Sequence, residues 1–353
     1  MCRAEAGATV ECSSSSMSLK KKSLCAQPRN QTVSFQRRLL AWYRKSRRTL
    51  PWRESRDPYR VWLSEIMLQQ TRVAAVIGHY EEFLRRFPTV EKLAAARESS
   101  VLAAWSGLGY YRRARMLHAA AKVVVRELGG KFPATAEQWQ ELPGIGRYTA
   151  AAIASIACGE PVAVVDGNVE RVLQRLSGRR LAGEELWQAA EELLDGKRSG
   201  DFNQAMMELG ATVCTPRAPG CLVCPVVKLC ATRGELPVGA KPERQKKREI
   251  HYALEYRNGD GRGRDGEVFL VQRPRDASLM AGMWELPELA NGHGSSEPSF
   301  TLRHSITVTD YTVRVWRTVP PELVRGNWIP AARLGRVALT GLARKILRRA
   351  ELL

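Results

Sequence analysis

The chain has 353 residues, 44% of them hydrophobic, and Lys plus Arg outnumber Asp plus Glu by 55 to 36, a formal charge of +19. That length is more than one ordinary core needs and implies two domains. The charge points to a polyanionic partner, nucleic acid first and a membrane surface or ribosome second. No run of about 18 uncharged apolar residues occurs, which argues against a membrane-spanning helix.

Residues 1–30 hold the Ser13 to Ser16 run and the basic Lys20 to Lys22 cluster without an apolar stretch of signal-peptide length, and read as a disordered tail. From Gln36 to about Gly210 apolar residues recur at three- and four-residue intervals between Gly and Pro breaks. The spacing predicts helices over Phe35 to Arg47, Tyr59 to Arg72, Val73 to Phe87, Ser100 to Trp105, Arg112 to Leu128 and Ala136 to Leu142. It predicts further helices over Arg147 to Ala157, Val169 to Leu176, Glu184 to Leu194 and Phe202 to Leu209. A polar, basic linker follows at 234–249. Beyond it, Tyr252 to Tyr256, Glu267 to Gln272 and Ile306 to Trp316 read as strands, and Leu339 to Leu352 as a helix, so the second domain is small and α+β.

Four of the eight cysteines, Cys214, Cys221, Cys224 and Cys230, crowd one loop with the spacing Cys-x6-Cys-x2-Cys-x5-Cys. Four thiolates so close can wrap one soft metal centre. A structural zinc is one reading, but zinc ribbons place two Cys-x2-Cys knuckles well apart, and a single knuckle here favours a 4Fe-4S cluster.

Leu142-Pro143-Gly144-Ile145-Gly146 lies between two amphipathic helices and leads into Arg147. Gly144 and Gly146, lacking Cβ, let the turn's N–H groups approach a phosphate, although a generic helical hairpin has the same sequence signal. Two carboxylates stand out. Glu65, among Trp62, Ile66 and Leu68, sits where ionisation is costly and a general acid could hold its proton; the other reading is a solvated or salt-bridged side chain. Asp166 follows the apolar Pro161 to Val165 run at the start of a helix, which favours its charged form and equally suits a plain N-cap.

The cysteine spacing, the hairpin and the order of these segments resemble the endonuclease III and MutY family of DNA glycosylases over Gln36 to Cys230. The resemblance implies a mostly α helix-hairpin-helix glycosylase domain at 31–233 with a 4Fe-4S loop. Glu65 and Asp166 are similar in local sequence to the MutY branch's catalytic pair, an acid for adenine N7 and an anion for the sugar, acting on a base flipped from the duplex. Tyr148 occupies the position where the bifunctional branch carries a Schiff-base lysine, implying a monofunctional enzyme. By the same resemblance Arg48, Leu50, Trp52, Arg53 and Gln204 line the adenine pocket, Gln70 and Tyr110 wedge into the base stack, and Gly144, Gly146 and Arg147 meet the DNA backbone.

Val271-Gln272-Arg273-Pro274 and Met283-Trp284-Glu285-Leu286-Pro287 resemble the branch's Nudix-like domain, expected at 250–353. No Glu-rich Nudix box follows, so metal-dependent pyrophosphatase activity is rejected. The family's lesion-reading Phe-Ser-His tripeptide is replaced by Ile306-Thr307-Val308, which leaves His304 and Thr307 as candidates for that contact. The expectation is an adenine-specific glycosylase for double-stranded DNA with A:8-oxoguanine or A:G mispairs, monomeric, in a bacterial cytoplasm. The rivals are a glycosylase of another base specificity and a non-catalytic iron–sulfur DNA-binding protein.

Overall fold

In the computed structural model, which describes residues 29–236, 246–257, 266–277, 279–289, 297–306 and 309–353, the helical spacing becomes a helical domain. Its helices are α1 (Arg29–Ser46), α2 (Pro58–Leu68), α3 (Val73–Arg86), α4 (Val90–Ala94), α5 (Glu98–Trp105) and α6 (Arg112–Arg126). They continue as α7 (Ala136–Gln140), α8 (Arg147–Ile153), α9 (Gly167–Ser177), α10 (Glu184–Leu193) and α11 (Ser199–Thr212). Most of the expected tail lies outside the described residues, and α1 begins just inside its last positions.

The short α4 was not expected, α1 starts six residues earlier than its apolar spacing implied and α11 runs three residues further at each end, while two other departures have a local reason. The segment read as helix through Arg72 stops at Leu68, because Gln70 has φ 54° and takes the backbone out of the helix. The helix starting at Arg147 widens into a π turn over Ala154–Cys158. There α11 lies so close that a Cβ on Gly200 would stand 2.6 Å from the Ser155 carbonyl, and Asn203 Nδ2 donates to Ser155 Oγ and to the Val162 carbonyl, both at 2.9 Å.

Two apolar cores hold this domain. One gathers Trp62, Phe83, Trp105, Trp139 and Ile153 around α2, α5, α6 and α8; the other gathers Phe35, Leu39, Tyr43, Leu173 and Phe202 around α1, α9 and α11. Burying each such side chain stabilises the fold by roughly 1.5–3 kcal/mol. Met207 touches both cores, and the seam between them is where the site lies.

The C-terminal part carries β1 (Lys246–Ala253), β2 (Tyr256–Arg257), β3 (Glu267–Gln272), β4 (Trp284–Glu285), β5 (Phe300–Ile306), β6 (Thr309–Trp316), β7 (Asn327–Pro330) and α12 (Gly341–Arg349). β1 starts inside the stretch read as linker. The strand expected from Ile306 to Trp316 is found as β6 from Thr309 onward, while Ile306 ends β5, which runs antiparallel to β6 with Ile306 opposite Thr309; β1 joins the other edge of β6 in parallel. A second sheet runs β2-β3-β4 with β7 also on β3. Leu342, Ala343, Ile346 and Leu347 of α12 seal the core against Leu334 and Leu339. This part docks on the helical domain through Met283, buried in the first core, and through the Leu339 carbonyl, which accepts from Ser106 Oγ at 2.9 Å and Tyr111 OH at 3.0 Å. Arg344 Nε completes the latch by donating to Ser106 Oγ at 2.9 Å.

Candidate active site

Asp57 caps α2 by accepting from Arg60 N at 2.9 Å, Pro58 starts the helix, and every residue from Val61 to Met67 is buried. Glu65 therefore sits 6% exposed inside protein rather than in a solvated or salt-bridged position. Burial pushes its carboxyl up to about 7, and the Asp166 charge adds to the rise, while a hydrogen bond from Tyr148 and the Arg53 charge oppose it. Tyr148 OH donates to Glu65 Oε2 at 2.8 Å. Burial, then the Glu65 and Asp166 charges, raise the phenol well above its ordinary value, so it stays a donor.

Asp166 is the N-cap of α9: Oδ1 accepts from Asn168 N at 2.9 Å and Val169 N at 2.7 Å, and Oδ2 from Asn168 Nδ2 at 2.8 Å. The capping reading is thus correct, and it leaves the carboxylate at a helix end that favours negative charge. Arg171 fixes the arrangement by donating to Asn168 Oδ1 at 2.7 Å, to the Gly210 carbonyl at 2.6 Å and to the Cys214 carbonyl at 2.8 Å.

Glu65, Tyr148 and Asp166 line one cavity of about 430 Å³, together with Arg48, Leu50, Trp52, Arg53, Gln70 and Gln204. All five residues expected around the base are there. Sequence reading missed their anchor, Glu208, whose side chain is fully buried. Its Oε1 accepts from Arg48 N and Nε at 3.0 and 2.8 Å, and its Oε2 from Arg48 Nη2 and Arg53 Nη2 at 2.7 and 2.8 Å. Burial alone would raise the Glu208 carboxyl; the hydrogen bonds from both arginines outweigh it and hold it down at about 2. The available signal was the one used for Glu65, an acid between Met207 and Leu209 on an otherwise buried helix face.

A second, larger cleft of about 1050 Å³ separates the helical domain from the C-terminal part. Gln70, Tyr110 and Gly144 line one side, and Leu279, Met280 and His304 the other. Gln70 borders both cavities. Thr307 lies outside the described residues. In the hairpin, Gly144 has φ 78° and a Cβ there would stand 2.4 Å from Met116 Cβ, so only glycine fits. Gly146 caps α8 from the surface. Arg147, expected at the DNA backbone, is exposed at the start of α8, where its side chain pairs with Glu184 at 2.6 Å and lies 3.9 Å over the Trp187 ring.

Cys214, Cys221, Cys224 and Cys230 are free thiols in the loop after α11, and three of them rest on the second core. Arg175 Nη1 donates to Cys214 Sγ at 3.3 Å and Arg233 N to Cys230 Sγ at 3.4 Å. Burial pushes the Cys224 thiol up, and the nearness of Cys214, Cys230 and Cys221 adds to the rise. Among the described residues no three ligating side chains close around a single metal ion. Four cysteines gathered in one loop, two of whose sulfurs, on Cys214 and Cys230, already accept N–H donors, nevertheless fit a soft, multi-atom centre that takes thiolate ligands.

The fold and this site define a helix-hairpin-helix protein of DNA base excision. Residues 63–194 match the HhH-GPD superfamily of base excision DNA repair proteins. Adenine DNA glycosylases are similar along much of the chain. The Homo sapiens protein is 50% identical over 218 residues, 58% of this chain and 40% of that protein, and the Rattus norvegicus protein 40% identical over 328 residues, 77% and 62%. The Schizosaccharomyces pombe protein is 32% identical, over 74% of this chain and 70% of its own. The chain belongs to the adenine DNA glycosylase family. It spans between 40% and 62% of the length of the human and rat relatives. Among solved structures, a thermostable thymine-DNA glycosylase is 33% identical with a TM-score of 0.55, covering 58% of this chain and 97% of that one. A non-covalent endonuclease III–DNA complex, 22% identical with a TM-score of 0.52 over 58% of this chain and 96% of that one, shares the fold.

Proposed function

We propose that this chain hydrolyses the N-glycosidic bond of adenine in duplex DNA, with adenine opposite 8-oxoguanine or guanine as the substrate. The observation that carries the reading is one cavity shared by a carboxyl held near pKa 7 and a capped carboxylate, Glu65 and Asp166. A base flipped out of the stack enters between Leu50, Trp52 and the Arg48–Arg53–Glu208 anchor. Protonated Glu65 donates to adenine N7, withdrawing electrons from the glycosidic bond, and Asp166 stabilises positive charge as it develops on the sugar. Once the base has left, the Glu65 carboxylate takes a proton from the attacking water. Tyr148 offers no amine, so the strand is left intact and the product is an abasic site.

His304 on the cleft wall opposite Gln70 and Tyr110 supports a contact between the C-terminal part, which we take as Nudix-like, and the base opposite adenine. Cys214, Cys221, Cys224 and Cys230 would hold a 4Fe-4S cluster, which when bound supplies a rigid, charged support for the loop rather than reaction chemistry. Single-turnover assays on duplexes with adenine opposite 8-oxoguanine, guanine and cytosine, and with thymine opposite guanine, test the reading. Release of adenine only from the first two is expected. Thymine release instead would establish the other base specificity, and no release from any duplex the non-catalytic rival.

A further inference from the structure

Gln70 and Tyr110 share an unusual feature: both are exposed, border the interdomain cleft, and have left-handed backbones, with φ 54° and 47°. For residues with a Cβ that conformation costs free energy and persists only where surrounding structure enforces it. One side chain enforces both. Arg113, on the first turn of α6, sends Nη1 to the carbonyls of Ile66, Met67 and Gln69 at 2.7, 3.0 and 2.6 Å. Its Nη2 reaches Thr71 Oγ1 at 3.1 Å and the Leu108 and Gly109 carbonyls at 3.4 and 3.3 Å.

The identity of these acceptors matters. Gln69 and Gly109 immediately precede Gln70 and Tyr110, so holding their carbonyls holds the peptide planes that set the two left-handed φ angles. The Ile66 and Met67 carbonyls are end groups of α2 without helical partners, next to Glu65, where a cation also complements the helix dipole. The guanidinium is held in turn between the Trp105 and Tyr110 rings, 5.5 and 5.4 Å from their centroids. A lysine ammonium, with one nitrogen, cannot span acceptors on both loops.

We propose that Arg113 is a positioning residue for base extrusion: a single guanidinium that fixes Gln70 and Tyr110 in register with the helix carrying Glu65. The inference rests on the glycosylase reading above and deepens it. Insertion into the base stack and delivery of the proton then share one mechanical origin, and a shift at Arg113 moves wedge and acid relative to each other.

The test uses the full chain with Arg113→Lys and Arg113→Met. Three quantities are measured: thermal unfolding with affinity for a fully paired duplex, the fluorescence rise of 2-aminopurine replacing the target adenine opposite 8-oxoguanine, and single-turnover adenine excision. For Arg113→Lys, which keeps the charge, unfolding and paired-duplex affinity are expected to match wild type while the fluorescence rise disappears and excision slows about 100-fold, as for a small misplacement of reacting groups. Wild-type extrusion and excision in Arg113→Lys would overturn the proposal. So would a parallel loss of folding, paired-duplex binding and extrusion, which marks a purely structural arginine. Should Arg113→Met fail to fold, Arg113→Lys alone decides. A wild-type chain that extrudes 2-aminopurine yet excises no adenine would sink the glycosylase reading, and the fluorescence comparison would still judge Arg113.

Discussion

Glu65 and Glu208 are two buried acids on the wall of one cavity, pushed in opposite directions by their neighbours. Glu65 meets one phenol and lies among apolar side chains, so burial dominates and its carboxyl rises to about 7; Glu208 meets two guanidiniums, and its carboxyl is held at about 2. The difference separates an acid that can give up a proton at neutral pH from an anion that shapes a pocket. For Glu208, whose folded value lies below the ordinary 4.5, the associated stability is present above pH 4.5 and is lost as pH falls toward 2. Glu208→Gln is expected to destabilise the fold by about 3 kcal/mol in urea titrations at pH 7, since it leaves Arg53 buried without its anion; part-exposed Arg48 keeps the figure at the low end. The variant should also lose the acid-induced loss of stability between pH 4.5 and 2 that belongs to this group.

At the scale of elements, the turn between α7 and α8 depends on Gly144. Gly144→Ala would meet both an unfavourable φ of 78° and Met116 Cβ at 2.4 Å. If the turn meets the DNA backbone rather than the reacting base, duplex affinity is expected to fall about 10-fold, read by fluorescence anisotropy, with the excision rate at saturating enzyme changed far less. This turn, the four cysteines, and the positions of Glu65 and Asp166 were legible in the chain because each is local: a glycine pair, a spacing, an acid in an apolar helix, an acid before a helix. Tertiary chemistry was not. Nothing near Arg113 announces six acceptors drawn from the end of α2, the turn after it and the loop just before α6. The Arg147 side chain lies on Trp187 and Glu184, partners distant in sequence that a motif cannot display. Likewise the sequence does not show that Ile306 ends one strand rather than starting the next, and only the antiparallel pairing of Phe300–Ile306 with Thr309–Trp316 assigns it.

For the whole molecule, the working surface is composite: an acid-bearing cavity inside the helical domain and a wider cleft completed by the C-terminal part. Ser106, Tyr111 and Arg344 converge around the Leu339 carbonyl directly beside the Gly107–Tyr110 loop, so docking of the C-terminal part and placement of Tyr110 are physically joined. Combining Ser106→Ala with Tyr111→Phe leaves that buried carbonyl without its donors and is expected to cost about 1–3 kcal/mol in thermal unfolding. Preference for 8-oxoguanine over guanine opposite adenine should shrink at the same time, measured as the ratio of single-turnover rates. The basic surface implied by the +19 charge adds attraction for the duplex that is indifferent to sequence and weakens with salt.

The most direct test of the whole account is the pH dependence of single-turnover adenine excision by the wild-type chain beside Glu65→Gln and Tyr148→Phe. A raised carboxyl that must be protonated to act predicts a wild-type rate that declines as pH rises through about 7, no excision by Glu65→Gln with duplex binding intact, and a midpoint moved upward in Tyr148→Phe, since the lost hydrogen bond is one that lowers the Glu65 pKa. A wild-type rate flat across neutral pH, or measurable excision by Glu65→Gln, would contradict it.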